Sequence, residues 1–417
     1  MKGASDSHSR TYPPHFEPRL HLAPLATAKE LKTAPRHRWF YFPHSYSPRL
    51  IDEVLDYWDF PQNGFLADNF VGSGTTLLAA RQRGLSVLGF DLSPLAVTVA
   101  NTKVTNYNDK QLCQAIPKIL NGRTKSDFPT SERLSKAFTE HELRELSKLL
   151  GSIREFKGAL RHFFLVAFLC TAKGFSRAVP DGGWFRWRDW PNRGEEVKLV
   201  FEDRVSRMIS DVRSLNWSDS APMAGARIAD ARKLPLSASS VDGLITSPPY
   251  ANRHDYSRIF QIELLFLGLT EPSITKLRHN AFRSHVEAKA PGSIRQSGKA
   301  YEVPESLAAV IDRLPSDADP RIRPLLEGYF EDVYLSLLEV SRILKSGGRV
   351  AYVLGNVRHA GVMVPVDEIT AEISPQAGLA FDTAWIMRFR GNSAQQMGNY
   401  GREPARETIV FLSKSSG

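Results

Sequence analysis

The run Gly64-Phe-Leu-Ala-Asp-Asn-Phe-Val-Gly-Ser-Gly-Thr-Thr-Leu-Leu-Ala-Ala80, followed by Ser86 to Asp91, constrains the fold more than any other stretch. It reads as strand, glycine turn and helix, then a second strand closed by an acidic residue. A helix linking two such strands is a crossover unit, and strands joined this way lie parallel inside an α/β sheet. Gly72 and Gly74 let the backbone pass close to a ligand, and the helix opening at Thr75 offers that ligand its free N–H groups. Asp91, at the end of the second strand, is the expected partner of ribose hydroxyls.

The same unit narrows the ligand. Leu77 stands where a dinucleotide fingerprint needs Gly or Ala, so close packing of a pyrophosphate is disfavoured and S-adenosylmethionine is preferred to a nicotinamide dinucleotide. In that reading Asp68 lies near the methionine amino group, Asp91 accepts from the ribose, and Leu92 and Pro94 flank the adenine. The competing role for Asp68 and Asp91 is that of strand-end caps.

A second stretch carries chemistry: Asp242-Gly-Leu-Ile-Thr-Ser-Pro-Pro-Tyr250. Val241, Leu244 and Ile245 predict a core strand, and Ser247-Pro248-Pro249 stops it because proline fixes φ and cannot donate to a ladder. In an open α/β sheet this turn falls in the crevice beyond the carboxyl ends of the strands. There an exocyclic amine could donate to the Ser247 hydroxyl and the Pro248 carbonyl while Tyr250 stacks on the base. As a tetrapeptide alone, Ser-Pro-Pro-Tyr is equally an ordinary loop.

Around these two turns the chain divides into a flexible arm (1–35), a cofactor-binding half (36–106), an insertion (107–222) and a catalytic half (223–417). Pro48 to Tyr57 predicts a helix with Leu50, Ile51, Val54 and Leu55 on one face. Within the insertion, Glu140 to Leu150 and Leu160 to Ala172 predict helices, the latter largely apolar. Arg177, Arg186, Trp187 and Arg188 interleave cations with an aromatic ring, suited either to nucleic acid or to packing the insertion on the core. Asp230, at a strand end, is a candidate acceptor for the adenine amine. Leu325 to Leu344 predicts an amphipathic helix with a glycine cap at 347–348, Val350 to Leu354 a strand, and Phe381 to Phe389 with Thr408 to Leu412 an antiparallel pair. Residues 271–323 read as a polar loop.

The chain has 417 residues, enough for a large core, and a formal charge of +9, which favours a polyanionic partner. Cys113 and Cys170, without metal-like spacing, predict neither a disulfide framework nor a zinc site. No run of about 18 apolar residues is evident and the first residues lack the apolar core of a leader, so an internal protein without a membrane span is expected.

With these residues in hand, the chain resembles the amino-methylating DNA methyltransferases of restriction-modification systems, which act on cytosine N4 or adenine N6. Asp68-Asn-Phe-Val-Gly-Ser-Gly-Thr-Thr76 is similar to the family's cofactor motif, D-P-F-x-G-S-G-T-T, with Asn69 in the usual proline's place. Ser247-Pro-Pro-Tyr250 matches its catalytic motif, and Leu344-Lys-Ser-Gly-Gly348 resembles its L-K-P-G-G turn. The resemblance implies a class I S-adenosylmethionine-dependent methyltransferase fold, α/β with a mostly parallel sheet, a C-terminal antiparallel strand pair and an inserted, mainly helical region. It also implies a cofactor site holding Phe42, Asp68, Phe70, Gly72, Gly74, Thr75, Asp91, Leu92 and Asp230, catalysis by Ser247, Pro248, Pro249 and Tyr250, and no metal. Double-stranded DNA is the implied substrate, a cognate restriction endonuclease the implied partner, and the nucleoid of a prokaryotic cytoplasm the implied location.

Serine at the head of the catalytic motif is commoner among N4-cytosine members, and adenine N6 is the alternative. Neither cysteine follows proline, which speaks against attack on cytosine C5. RNA or a protein glutamine as substrate, and a binder without turnover, remain the other readings.

Overall fold

The computed structural model of the protein describes residues 13–128, 131–181, 184–189, 196–218, 221–252, 254–290, 301–391 and 394–415. The first twelve residues of the expected arm and positions 291–300 of the expected polar loop lie outside them.

Order starts earlier than the sequence suggests. Residues Phe16–Pro18 form β1, followed by short 3-10 turns whose Leu22, Leu25 and Leu31 are buried. These apolar residues follow no helical or strand period, so periodicity alone left them as an arm. The adjoining Arg36 is fully buried, its guanidinium donating to the carbonyls of Lys103, Thr105 and Leu215.

The helix α1 (Pro48–Tyr57) starts at Pro48 as predicted and is capped by the Ser47 hydroxyl, which accepts from the Arg49 N–H, with Leu50, Ile51, Val54 and Leu55 buried. Then come β2 (Phe65–Asp68), α2 (Thr75–Gln82), β3 (Ser86–Asp91) and α3 (Pro94–Val104). The insertion supplies α4 (Asp109–Leu120), α5 (Glu132–Ala137), α6 (Glu140–Arg154) and α7 (Gly158–Phe175), a hairpin of β4 (Ala178–Asp181) and β5 (Trp184–Trp187), and α8 (Val197–Ser214). Strands β6 (Ala224–Ile228) and β7 (Val241–Thr246) return the chain to the sheet. After α9 (Tyr256–Ile259) and α10 (Gln261–Phe266), the expected polar loop contains two helices, α11 (Glu271–Asn280) and α12 (Glu305–Asp312). Each is anchored by few apolar residues, Ile274 in one and Leu307, Val310 and Ile311 in the other, which the polar surroundings mask. The last elements are α13 (Ile322–Ile343), β8 (Leu344–Gly355), the hairpin β9 (Val357–His359) and β10 (Val362–Val364), α14 (Val366–Ile373), β11 (Ala380–Arg390), α15 (Ala394–Tyr400) and β12 (Ala405–Ser413).

Eight strands form one sheet in the order β1-β11-β12-β8-β7-β2-β3-β6. All neighbours are parallel except β12, which runs antiparallel to both β8 and β11. The first crossovers leave β2 toward β3 and later ones toward β7, so the strand order reverses between β2 and β7, where a crevice opens beyond their carboxyl ends. The glycines after Leu344 do not cap a helix. They form a bulge early in β8, where Gly347 has φ +72° and Lys345 pairs with Asp242 instead of the helix end.

Apolar clusters cover both faces of the sheet, and a third centres on the insertion helices α4 to α8. That third cluster also contains Trp39, Phe40, Leu95 and Val99 and residues of α10, so the insertion shares its core with the segments flanking the crevice. By length and composition α7 is apolar enough to cross a membrane, but it is the central core helix of this cluster, with 61% of its window buried.

Candidate active site

A cavity of about 530 Å³ opens beyond the carboxyl ends of β2, β3 and β7. Its wall includes Asp68 to Ser73 and Thr75 from the glycine turn, Asp91 and Leu92, Asp230, and Ser247 to Tyr250 from the proline turn. The two turns therefore face the same space. They are also tied directly, since the Thr246 hydroxyl, one residue before Ser247, donates to Asp68 Oδ1 at 2.7 Å. Adjacent parallel pairing of β2 with β7 is what brings them within reach.

At one end of the cavity stand three carboxylates. Asp68, 2% exposed, accepts also from the Phe70 N–H, and burial pushes its carboxyl up to about 6 against the opposing hydrogen bonds. Asp91 accepts from Gly72 N–H at 3.0 Å and Ser93 N–H at 2.9 Å, and burial raises its carboxyl as well. Both residues thus cap their turns, which leaves further lone pairs on each carboxylate to accept from a ligand. Asp230 is gripped at both oxygens by Arg232, itself anchored on the buried Asp332. Phe42 stacks on Phe260 at 4.6 Å and on Tyr256 at 6.0 Å, giving this end an aromatic wall.

The glycines divide their work. Gly72 lines the cavity with φ +48°, a conformation that suits glycine. Gly74, expected to bind cofactor, is not in the wall: with φ +80° it turns the chain into α2, and a Cβ there would meet Ala100 at 2.9 Å. Asn69 is buried and its amide donates to Ser336 at 3.0 Å, so replacing proline has anchored this loop through a side chain.

At the other end, the Ser247 hydroxyl donates to the Val353 carbonyl at 3.0 Å. Tyr250 rests on Gly355, where a Cβ would meet its ring at 2.7 Å, and the Arg390 guanidinium carbon lies 5.7 Å from the ring centroid. Burial, then the Glu407 carboxylate, lifts the Tyr250 phenol above its ordinary value. Glu407 pairs with Arg390 at 3.0 Å and with Arg388. His44 and His254 complete this end, their rings 5.0 Å apart. Burial lowers His254 below the ordinary histidine value and takes His44 down to about 4, with the Arg390 charge adding to both.

Sequence reasoning missed His44, His254, Arg388, Arg390 and Glu407. The Arg388-Phe-Arg390 alternation was a usable signal, since period two puts both cations on one strand face, opposite Glu407 in register. Arg177, Arg186, Trp187 and Arg188 are not in the cavity wall. Arg177 and Arg188 hold the base of the β4–β5 hairpin, donating to the carbonyls of Arg188 and of Gly174 and Ser176. Arg186 is exposed and Trp187 is 39% exposed.

The cavity suits S-adenosylmethionine. Carboxylates stand where cationic and hydroxyl groups need acceptors, an aromatic wall offers a base a stacking face, and the Ser73 hydroxyl in the wall is buried without a partner among the described residues.

No family model matches the chain. Curated relatives do along most of its length. Type II methyltransferase M.AvaI of a Nostoc species is 24% identical over 92% of this chain and 87% of that one. M.BsoBI of Geobacillus stearothermophilus is 25% identical over 94% and 88%, and M.MvaI of Kocuria varians 24% over 81% and 80%. Among solved structures, an rRNA methyltransferase from Streptomyces viridochromogenes aligns over 95% of this chain and 93% of that one, 14% identical with a TM-score of 0.33. The fold assignment stands on the strand order, with its single antiparallel strand set between two parallel ones. By its strand order the chain has the fold of the class I methyltransferases, whose cofactor is S-adenosylmethionine, and over most of its length it is similar to type II methyltransferases.

Proposed function

We propose that the protein methylates the N4 amine of cytosine at a specific site in duplex DNA, protecting that DNA from a cognate restriction endonuclease in a bacterial cytoplasm. The observation that carries this reading is the shared cavity, in which a serine-headed proline turn is tied through Thr246 to the carboxylate of the glycine turn.

When bound, S-adenosylmethionine supplies an electrophilic sulfonium methyl. Asp68 and Asp91, with Phe42, Phe70, Gly72, Thr75 and Leu92 around them, would hold it, and Asp230 would accept from its adenine amine. The target amine is a poor nucleophile because its lone pair is delocalised into the ring. Ser247 spends its own hydrogen on the Val353 carbonyl, so its oxygen faces the cavity as an acceptor, and the Pro248 carbonyl is a second one. Two acceptors for the two N–H bonds favour a tetrahedral nitrogen with its lone pair freed for attack. Pro249 shapes the turn and Tyr250 stacks on a nucleotide flipped out of the duplex, at a cost of about a few kcal/mol. The hairpin residues Arg186 and Trp187 contact the DNA, with Arg177 and Arg188 bracing them.

The test is transfer of tritiated methyl to unmethylated DNA, followed by digestion to nucleosides. Label in N4-methylcytosine is expected. Label in N6-methyladenine would move the target to adenine, and label only in RNA or protein would refute the DNA reading.

A further inference from the structure

We propose that His254 accepts the proton released when the target amine is methylated, and that His44 passes it to solvent. The inference rests on the amine-methylation reading above and names a group for a step which that reading leaves without one.

The step itself demands an acceptor. The amine nitrogen forms a bond to the methyl carbon, the carbon–sulfur bond breaks with its electron pair left on sulfur, and the nitrogen is left with a positive charge and one proton too many. That proton must go somewhere within the cavity.

Most acceptors in the wall are already engaged. Asp68 and Asp91 stand at the opposite end of the cavity, where the reading above commits their remaining lone pairs to the cofactor, beside the Phe70 N–H and Thr246 hydroxyl on one and the N–H groups of Gly72 and Ser93 on the other. Asp230 is held by Arg232, Asp255 by Ser257 and Arg278, and Glu407 by Arg388 and Arg390. A carboxylate held by one or two guanidinium groups is a weak base. Ser247 can accept a hydrogen bond but must shed a proton to keep one. His254 differs: its Nδ1 is buried and has no hydrogen-bond partner among the described residues. It follows the catalytic turn by four residues and lines the same cavity.

Its surroundings give the proton a way out. The His44 ring lies 5.0 Å away in an edge-on arrangement and meets Tyr256 edge-on at 5.6 Å, partly enclosed by these contacts while the residue as a whole reaches solvent. The charged group facing the pair is Arg390, with its partner Glu407 and that partner's second cation Arg388, while Asp255, next in the chain, is turned to Ser257 and Arg278. Burial and the Arg390 charge keep both rings neutral at neutral pH, which is the state able to accept. His285 also lines the cavity and sits among Asp255, Glu287, Arg278 and Arg258.

The test uses the full chain, saturating S-adenosylmethionine and unmethylated plasmid DNA that the wild-type protein labels. His254→Gln and His254→Asn are expected to slow the first turnover by about tenfold or more at neutral pH, with affinities for cofactor and DNA unchanged. Imidazole should restore part of the rate of His254→Ala. The wild-type rate should fall on acidification, and that fall should be missing in His254→Gln. A ring that only packed the loop would give neither rescue nor a changed profile. Equal first-turnover rates in wild type and His254→Gln, or a loss explained by weaker DNA binding, would overturn the inference. If the His254 variants do not fold, His44→Gln decides: repeated turnover slows severalfold if His44 carries the proton, and an unchanged rate overturns the exit route. Absence of any methyl transfer by the wild type would instead sink the amine-methylation reading.

Discussion

The two ends of the cavity are built differently. The cofactor end is largely a local structure: Asp68, the glycine turn, Thr75, Asp91 and Leu92 lie within one strand-helix-strand unit, and their carboxylates are satisfied mainly by backbone N–H groups of that unit. The target end is assembled from separate segments, with His44 before α1, Ser247 to His254 after β7, Gly355 closing β8, and Arg388, Arg390 and Glu407 on the final strand pair. One end is negative and the other carries two arginines against a single glutamate, which suits a cationic cofactor beside an anionic nucleotide. The difference teaches that binding and turnover should separate under mutation.

The sharpest way to break this comparison is Ser247→Ala. Removing the acceptor at the target end should lower methyl transfer by roughly a hundredfold or more while cofactor affinity, read by calorimetry, stays the same. Equal losses in both would mean that the ends are not separable. Asp91→Ala probes the opposite end and should weaken cofactor binding by roughly tenfold to a hundredfold, with a lower Tm because Gly72 and Ser93 lose their acceptor. Its rate at saturating cofactor should change much less.

Gly355→Ala tests the support beneath Tyr250. The added methyl would lie 2.7 Å from the ring, so the ring must shift, and transfer to DNA should fall by about tenfold with cofactor binding intact. The smallest effect expected is one of pH. Asp68 holds its proton up to about pH 6, and the protonated form is a poor partner for an ammonium group, so cofactor affinity should rise severalfold as pH increases through that value and then level off. Asp68→Asn should bind weakly and show no such rise.

The insertion offers a second contrast with the core. Two of its helices, α6 and α7, were legible from apolar periodicity while α4, α5 and α8 were not, and neither was its sharing of a core, because Trp39, Phe40 and residues of α10 join its cluster from elsewhere in the chain. Asp211 on α8 makes the point: it accepts from the Arg36 N–H, the Arg38 guanidinium and the Trp39 indole, fastening the segment before α1 to the insertion.

By itself the sequence determined the strand-glycine-helix unit, the proline turn, the antiparallel strand pair and the placing of Asp68 and Asp91 at strand ends beside the glycine turn, because each depends on contacts between near neighbours and on the fixed torsions of glycine and proline. Tertiary structure alone decided the rest. Parallel pairing of β2 with β7 joined the two turns, and the register of β11 on β12 carried Arg388, Arg390 and Glu407 to Tyr250. It also set Gly74 behind the wall and His254 within it. Which side chain meets which across a sheet follows from strand order and register, and those are fixed by burial summed over the whole core, a quantity that no short stretch of sequence contains.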